Sequence, residues 1–222
     1  MAQQQKNKSV LDKQAKQDAL ILAALTHVPF DGWSQNALLR GAEDAGLSAA
    51  DVDVLFPDGL RQALRHWLAL ADRMMLEDIA DADLQNMRIR DRIAFIVRTR
   101  LERWTPHREA VRRAMGLSVK PGYAEDSLRS GYATVDAMWR AAGDTATDYN
   151  FYTKRGLLAA VYSSTLLVWL DDRSEDNAET WAFLDRRIEN VMQVPKIQGR
   201  VKEVVSKLPN PLSLLKRARR TA

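Results

Sequence analysis

Along this 222-residue chain the apolar positions recur every three or four residues, and no stretch alternates with a period of two. That spacing predicts helices and no sheet. A first helix is expected over Lys13–Thr26, carrying Leu20, Leu22 and Leu25, after a polar, flexible terminus of residues 1–12. Pro29-Phe30-Asp31-Gly32-Trp33 reads as a turn. Ser34 caps a second helix, Gln35–Ala45. Gly46-Leu47-Ser48 is a tight turn, and Ser48 caps a short third helix that Pro57 ends. A longer helix runs from Asp58 to about Asp78, with Leu60, Leu64, Trp67, Leu68, Ala71 and Met75 on one side. Asp81 and Asp83 mark a break before an Arg-rich helix, Leu84–Glu102. Thr105-Pro106 reads as an N-cap with Pro at the first helical position, opening a helix to Met115. Pro121 opens another, to about Ala142, with Leu128, Tyr132, Val135, Met138 and Trp139 as its apolar positions and Gly143 as its stop.

The stretch Asp144–Asp172 organises the rest. Thr147 is a good N-cap, Asp148 sits in the first turn, and Tyr149, Phe151 and Tyr152 crowd the first two turns. An apolar run from Gly156 to Leu170 follows, broken by Ser163, Ser164 and Thr165, whose hydroxyls are expected to bond helix carbonyls. A helix apolar all round lies at the centre of a protein or inside a membrane. A membrane span needs about 20 apolar residues. This run is shorter and ends on Asp171 and Asp172, so it reads as the central helix of a soluble bundle. Ser174 caps the next helix, which buries Trp181, Leu184, Ile188, Val191 and Met192 and ends at Pro195. Beyond it, Ile197, Val201, Val204, Val205 and Leu208 fall on one helical face. Pro209 and Pro211 interrupt the pattern before Lys216, Arg217, Arg219 and Arg220. The expected fold class is all-α, with about nine or ten helices. Its regions are 1–12, a helix-turn-helix over 13–57, a helical domain over 58–195 and a basic amphipathic tail over 196–222.

Charge separates the tail from the body. The net charge is +4; residues 196–222 hold eight Lys/Arg against Glu203, or +7, which leaves −3 for residues 1–195. Basic tails meet nucleic acid or anionic lipid. With no cysteine there is no disulfide, thiolate nucleophile or cysteine metal site. The polar N-terminus lacks the apolar run of a secretory signal, so a cytoplasmic location is expected. His27, His66 and His107 stand in no E-x-x-H or H-E-x-x-H spacing, and no Gly-rich phosphate loop or G-x-S-x-G is present. Asp171 and Asp172 read as solvated helix-end charges. No catalytic residue, metal or cofactor is expected.

The two short helices around the AGLS turn make a helix-turn-helix pattern, and this part resembles the N-terminal three-helix domain of TetR-type regulators. A DNA reader needs groups that bond base edges and neighbours that neutralise phosphates. Ser48–Leu55 has no Lys or Arg and carries Asp51 and Asp53; the helix before it sets Arg40 against Glu43 and Asp44. The reading is a helix-turn-helix that binds no nucleic acid.

Residues 143–192, GDTATDYNFYTKRGLLAAVYSSTLLVWLDDRSEDNAETWAFLDRRIENVM, resemble the ubiquinone-biosynthesis accessory proteins of the TetR-like lipid-binding family. The carrying features are D-x-N-[WF]-Y-T-[RK]-R, the apolar run after it, and T-W-x-F-L-x-R-R-I. A looser match extends over most of residues 15–195. The resemblance implies a TetR-like bundle, often a homodimer, without enzymatic activity. It implies an isoprenoid lipid or ubiquinone intermediate bound in an apolar pocket and presented to the di-iron demethoxyubiquinone hydroxylase. It also implies peripheral association with the inner membrane through a C-terminal amphipathic helix, and a partner-contacting patch at Asp148, Asn150, Phe151, Tyr152 and Arg155. Phe151 stands where many members have Trp, keeping a ring but losing the indole N–H.

Large or flexible apolar side chains on several helices are the expected pocket walls: Trp67, Met74, Phe95, Met138, Leu158, Tyr162 and Leu166. Contact with an anionic membrane surface is expected from Ile197, Val201, Val204, Val205, Leu208, Lys216, Arg217, Arg219 and Arg220. The alternative is a TetR-type transcriptional regulator with a hydrophobic effector. The acidic third helix weighs against it.

Overall fold

The computed structural model describes the backbone of residues 2–144 and 149–207 and the side chains of residues 9–144 and 152–192. Among the described residues there are ten α-helices, three single 3₁₀ turns and no strand. The all-α expectation holds.

α1 (Ala2–Ala24) begins eleven residues before Lys13, where a frayed terminus was expected. Residues 2–12 are polar but hold no Gly or Pro, and Ala, Gln, Lys and Leu favour helix whether or not they are buried. A four-residue helix, α2 (Val28–Asp31), sits inside the expected turn, with Pro29 in its first turn and Gly32 closing it at φ +67. α3 (Gln35–Asp44) starts where Ser34 accepts from the Ala37 N–H. α4 (Ala49–Leu55) opens with a capping box in which Ser48 and Asp51 satisfy each other's backbone N–H groups.

α5 (Gly59–Asp78) follows as expected. The Leu84–Glu102 helix is split: Leu84–Asn86 is a 3₁₀ turn, and α6 runs from Ile89 to Glu102. Arg92 holds the break by donating to the carbonyls of Gln85, Met87 and Ala142. Thr105 is not an N-cap; Thr105–His107 is a 3₁₀ turn with Trp104 at its cap position, and α7 spans Arg108–Ser118. α8 (Ala124–Ala141) starts after Tyr123 rather than at Pro121. It stops at Gly143 as expected. Gly143, at φ +89, donates to Arg140 O (2.9 Å) and Asp144 donates to Trp139 O (3.0 Å), a Schellman closure.

α9 (Tyr149–Asp171) is not buried all round. Leu158, Val161, Thr165, Leu166, Trp169 and Leu170 face the core, while Gly156, Ala160, Ser163 and Leu167 are exposed. Ser164 and Thr165 back-bond to Ala160 O and Val161 O, both at 2.7 Å. α10 (Ala178–Lys207) runs straight through Pro195, which was expected to end it. The missing proline N–H removes one bond, at about 3 kcal/mol. The helix continues across that loss, so the 195/196 boundary falls inside one element.

One hydrophobic cluster runs from Leu20 to Ile188, through the expected boundary at 57/58. The Trp33 ring packs on Trp67 at 4.9 Å, and its N–H donates to Ala110 O on α7 at 2.9 Å. Gln17 donates to Leu55 O at 2.7 Å. The N-terminal helices are thereby keyed to the helices that build the site. No helix among the described residues is long and apolar enough to cross a membrane.

Candidate functional site

α5, α6, α7, α8 and α9 enclose a cavity of about 990 Å³, open on one side. That is at the upper end of the usual range for small-molecule sites. Its apolar wall comes from residues at helical spacing: Leu64, Trp67, Leu68 and Ala71 on α5, Val111, Ala114 and Met115 on α7, and Ala159, Tyr162 and Leu166 on α9. The rim is apolar as well. Val119, Leu128, Tyr132 and Tyr152 line it and are exposed, Leu128 at 77% and Tyr152 at 71%.

Of the expected wall residues, Trp67, Tyr162 and Leu166 are in place. Met74, Phe95, Met138 and Leu158 are not. Met138 is fully buried core, Met74 and Phe95 are half-buried and pack against that core, and Leu158 lines a separate gap of about 40 Å³ with Trp139 and Ile188. An apolar residue type does not say whether its side of the helix meets another helix or a space. The α7 wall was missed, although Val111, Ala114 and Met115 fall at i, i+3 and i+4; the signal was there but unassigned. Leu128 and Tyr132, read as core positions of α8, form the rim instead.

The cavity's charges are paired. Arg100, 4% exposed, bonds Asp72 at 2.9 Å, and Thr134 donates to the same carboxylate at 2.9 Å. Burial pushes the Asp72 carboxyl up, and Arg100 and Thr134 only partly offset that. Burial likewise raises the Tyr162 phenol, with Arg100 beside it acting in the opposite direction. Arg61 and Arg65 at one end share Asp126.

Arg155, expected on the partner surface, is 3% exposed and lines the cavity, bonding Asp136 at 2.6 Å and Asp144 at 3.1 Å. It is an interior ion pair, because α9 turns it inward one turn after Tyr152. Tyr152 does lie at the surface. Asn150 and Phe151 belong to α9, but their side chains lie outside the described residues, as do Asp148 and the expected cap Thr147. The same holds for the side chains of Ile197, Val201, Val204 and Val205 on α10, and for Leu208, Lys216, Arg217, Arg219 and Arg220 entirely.

Asp171 and Asp172 part ways. Asp171 is exposed and pairs with Arg112 at 2.8 Å. Asp172 is 7% exposed and accepts from the Ser174 N–H (2.8 Å), the Ser174 hydroxyl (2.6 Å), the Thr180 N–H (2.8 Å) and the Thr180 hydroxyl. Burial alone would raise its carboxyl, but these four donors outweigh that and hold it well below the usual carboxylate range. The α9–α10 corner is thus fixed by a buried carboxylate, and Arg108 on α7 donates to the Asp172 carbonyl at 2.6 Å.

A helix-turn-helix keyed to a helical body with an apolar cavity is the TetR-like fold. The fold comparison agrees: the TetR transcriptional regulator from Nitrosomonas europaea ATCC 19718 superposes with a TM-score of 0.64 over 79% of this chain and 97% of its own, at 18% identity. In sequence the chain is similar to the COQ9 proteins: residues 124–195 match the COQ9 family model. The ubiquinone biosynthesis protein COQ9, mitochondrial, of Homo sapiens is 34% identical over 193 residues, covering 84% of this chain and 60% of the human protein. Its Drosophila melanogaster counterpart is 33% identical, covering 82% and 58%. The chain therefore spans about three fifths of the length of these relatives.

Proposed function

We propose that this protein is a non-enzymatic lipid-binding accessory protein of ubiquinone biosynthesis. In this reading the cavity takes an isoprenoid lipid or ubiquinone intermediate at the inner membrane and presents it to the di-iron demethoxyubiquinone hydroxylase. The observation that carries the reading is the apolar cavity whose mouth is ringed by exposed apolar side chains. A large exposed apolar patch marks an interaction site rather than ordinary surface. The relatives' names supply the pathway. Tyr152 and its neighbours Asn150 and Phe151 at the start of α9 are the partner-contacting patch, and the C-terminal part of α10 with the basic residues after it is the membrane contact. A second copy packs on the open face of α9 to form the homodimer. The protein reads no DNA in this account: α4 carries Asp51 and Asp53, no basic residue, and Asp51 is committed to its own cap.

The test is organic extraction of the purified full chain followed by mass spectrometry. A prenylated quinone, or a prenylated precursor of one, is expected in stoichiometric amount. Protein that carries no lipid and takes up none from vesicles containing ubiquinone overturns the reading.

A further inference from the structure

Resting on the lipid-binding reading above, we propose that the turn between α7 and α8, with the first half of α8, inserts into the bilayer and sets the cavity mouth against its acyl chains. This is a second membrane contact, separate from the one placed at the C-terminal part of α10.

The turn and the helix after it present apolar side chains to solvent. Val119 is 80% exposed, and Leu128 and Tyr132, one helical turn apart on α8, are 77% and 48% exposed. All three line the mouth. The backbone of the turn is largely satisfied from within. The Lys120 N–H donates to Leu117 O at 2.9 Å, the Tyr123 N–H donates to Lys120 O at 3.1 Å, and Pro121 has no N–H. A turn that enters lipid has to supply its own hydrogen bonds, because no water is there to do so.

The edge of this patch suits a headgroup layer. Lys120 is exposed and makes no ion pair among the described residues, whereas the carboxylates nearby are taken, Glu125 by Arg129 and Asp126 by Arg61 and Arg65. Tyr123 and Tyr132, each an apolar ring with a polar tip, line the mouth as well. Tyrosine and lysine around an apolar centre match the change from acyl chain to headgroup across a membrane surface.

The cavity decides for a bilayer over another protein as the occupant. Its described lining belongs to α5–α9 and the turns between them, so contact through α10 does not by itself cover the mouth. A lipid crossing water between bilayer and cavity would expose every methylene of its chain. With the mouth in the acyl layer, the chain passes from one apolar phase to the other. Three side chains hold less apolar surface than one acyl anchor, which alone binds a membrane only marginally. Adhesion therefore stays with the C-terminal segment, and passage falls to the mouth.

The chain has no cysteine, so one label can be placed at one site. Val119→Cys and Leu128→Cys each carry an NBD fluorophore in the full chain, with Val54→Cys on α4, 68% exposed and away from the cavity, as control. Each is mixed with vesicles of phosphatidylcholine and phosphatidylglycerol that contain a lipid with a doxyl quencher on its acyl chain. Quenching is expected at positions 119 and 128 and not at 54. The pair Val119→Gln with Leu128→Gln adds no charge at two exposed sites. It is expected to keep native helicity, to sediment with such vesicles as the parent does, and to take up ubiquinone from them roughly tenfold more slowly. Absence of quenching at 119 and 128 overturns the contact, and so does equal quenching at 54. A blue shift at 119 and 128 that grows with protein concentration without vesicles overturns it in favour of an interface between copies. Uptake by the Gln pair at the parent's rate overturns the role of the contact in passage. Quenching at both sites in a protein that takes up no ubiquinone upholds the contact and overturns the lipid-binding reading instead.

Discussion

At Gly41 the backbones of α3 and α1 come so close that a Cβ would lie 2.5 Å from the Ala24 nitrogen and 2.6 Å from its Cα. Nothing flexible stands there to give way, so Gly41→Ala must part the two helices. A loss of about 2 kcal/mol or more is expected in thermal or urea denaturation, the usual cost of overpacking; an unchanged midpoint would show that the two helices can separate freely. Asp172 makes the second residue-scale prediction. Asp172→Asn keeps the shape but cannot accept from all four donors, and a loss of about 2 kcal/mol at pH 7 is expected. Because its folded pKa lies below the unfolded value, near 3.9, this contribution is complete above that value and fades as pH falls towards the folded one. The gap between parent and variant should therefore narrow below about pH 4. A gap that widens on acidification would contradict the hydrogen-bond assignment.

At the scale of elements, α10 changes what the tail can be. Trp181, Leu184 and Ile188 anchor its first half to the body, and the helix continues without a stop at Pro195 to Lys207. The residues of the expected apolar face, Ile197, Val201, Val204 and Val205, thus belong to the same helix as the anchored part. Each Lys or Arg near an anionic bilayer surface adds about 1 kcal/mol of attraction. Deleting residues 197–222 should leave a folded protein that no longer sediments with anionic liposomes, and high salt should weaken sedimentation of the full chain. Equal sedimentation of both would rule out the tail as the membrane contact.

At the scale of the whole molecule, the cavity and the open side of α9 are two consequences of one arrangement. α9 contacts α6, α7, α8 and α10. What those helices leave uncovered is the line of Gly156, Ala160, Ser163 and Leu167. Small residues let a second backbone approach closely, so the proposed homodimer would meet here, beside the cavity that Gly156 and Ser163 also line. Ala160→Arg is expected to halve the mass in light scattering while helicity stays native. A mass unaffected by the change would rule out this face of α9 as the dimer contact.

Helix number, most caps and the absence of sheet were legible in the sequence, because they rest on local chemistry: Ser34, Ser48 and Gly143 do in the fold what their residue types favour. The resemblance over residues 143–192 was legible too, since a long motif carries its own identity. Where local signals misled, a longer-range balance had won. Pro195 lies inside α10 instead of ending it, and residues 2–12 are helical because helix propensity does not require burial. The tertiary structure alone decided which apolar residues face a space and which face a neighbour. Trp67 and Met138 look alike on a helical wheel, yet one lines the cavity and the other fills the core. It likewise decided which charges are interior, drawing Arg155 onto Asp136 and Asp144 and Asp172 onto Ser174 and Thr180. Burial and pairing are properties of a packed arrangement of helices, and helical periodicity specifies a residue's side of its own helix without specifying what stands opposite.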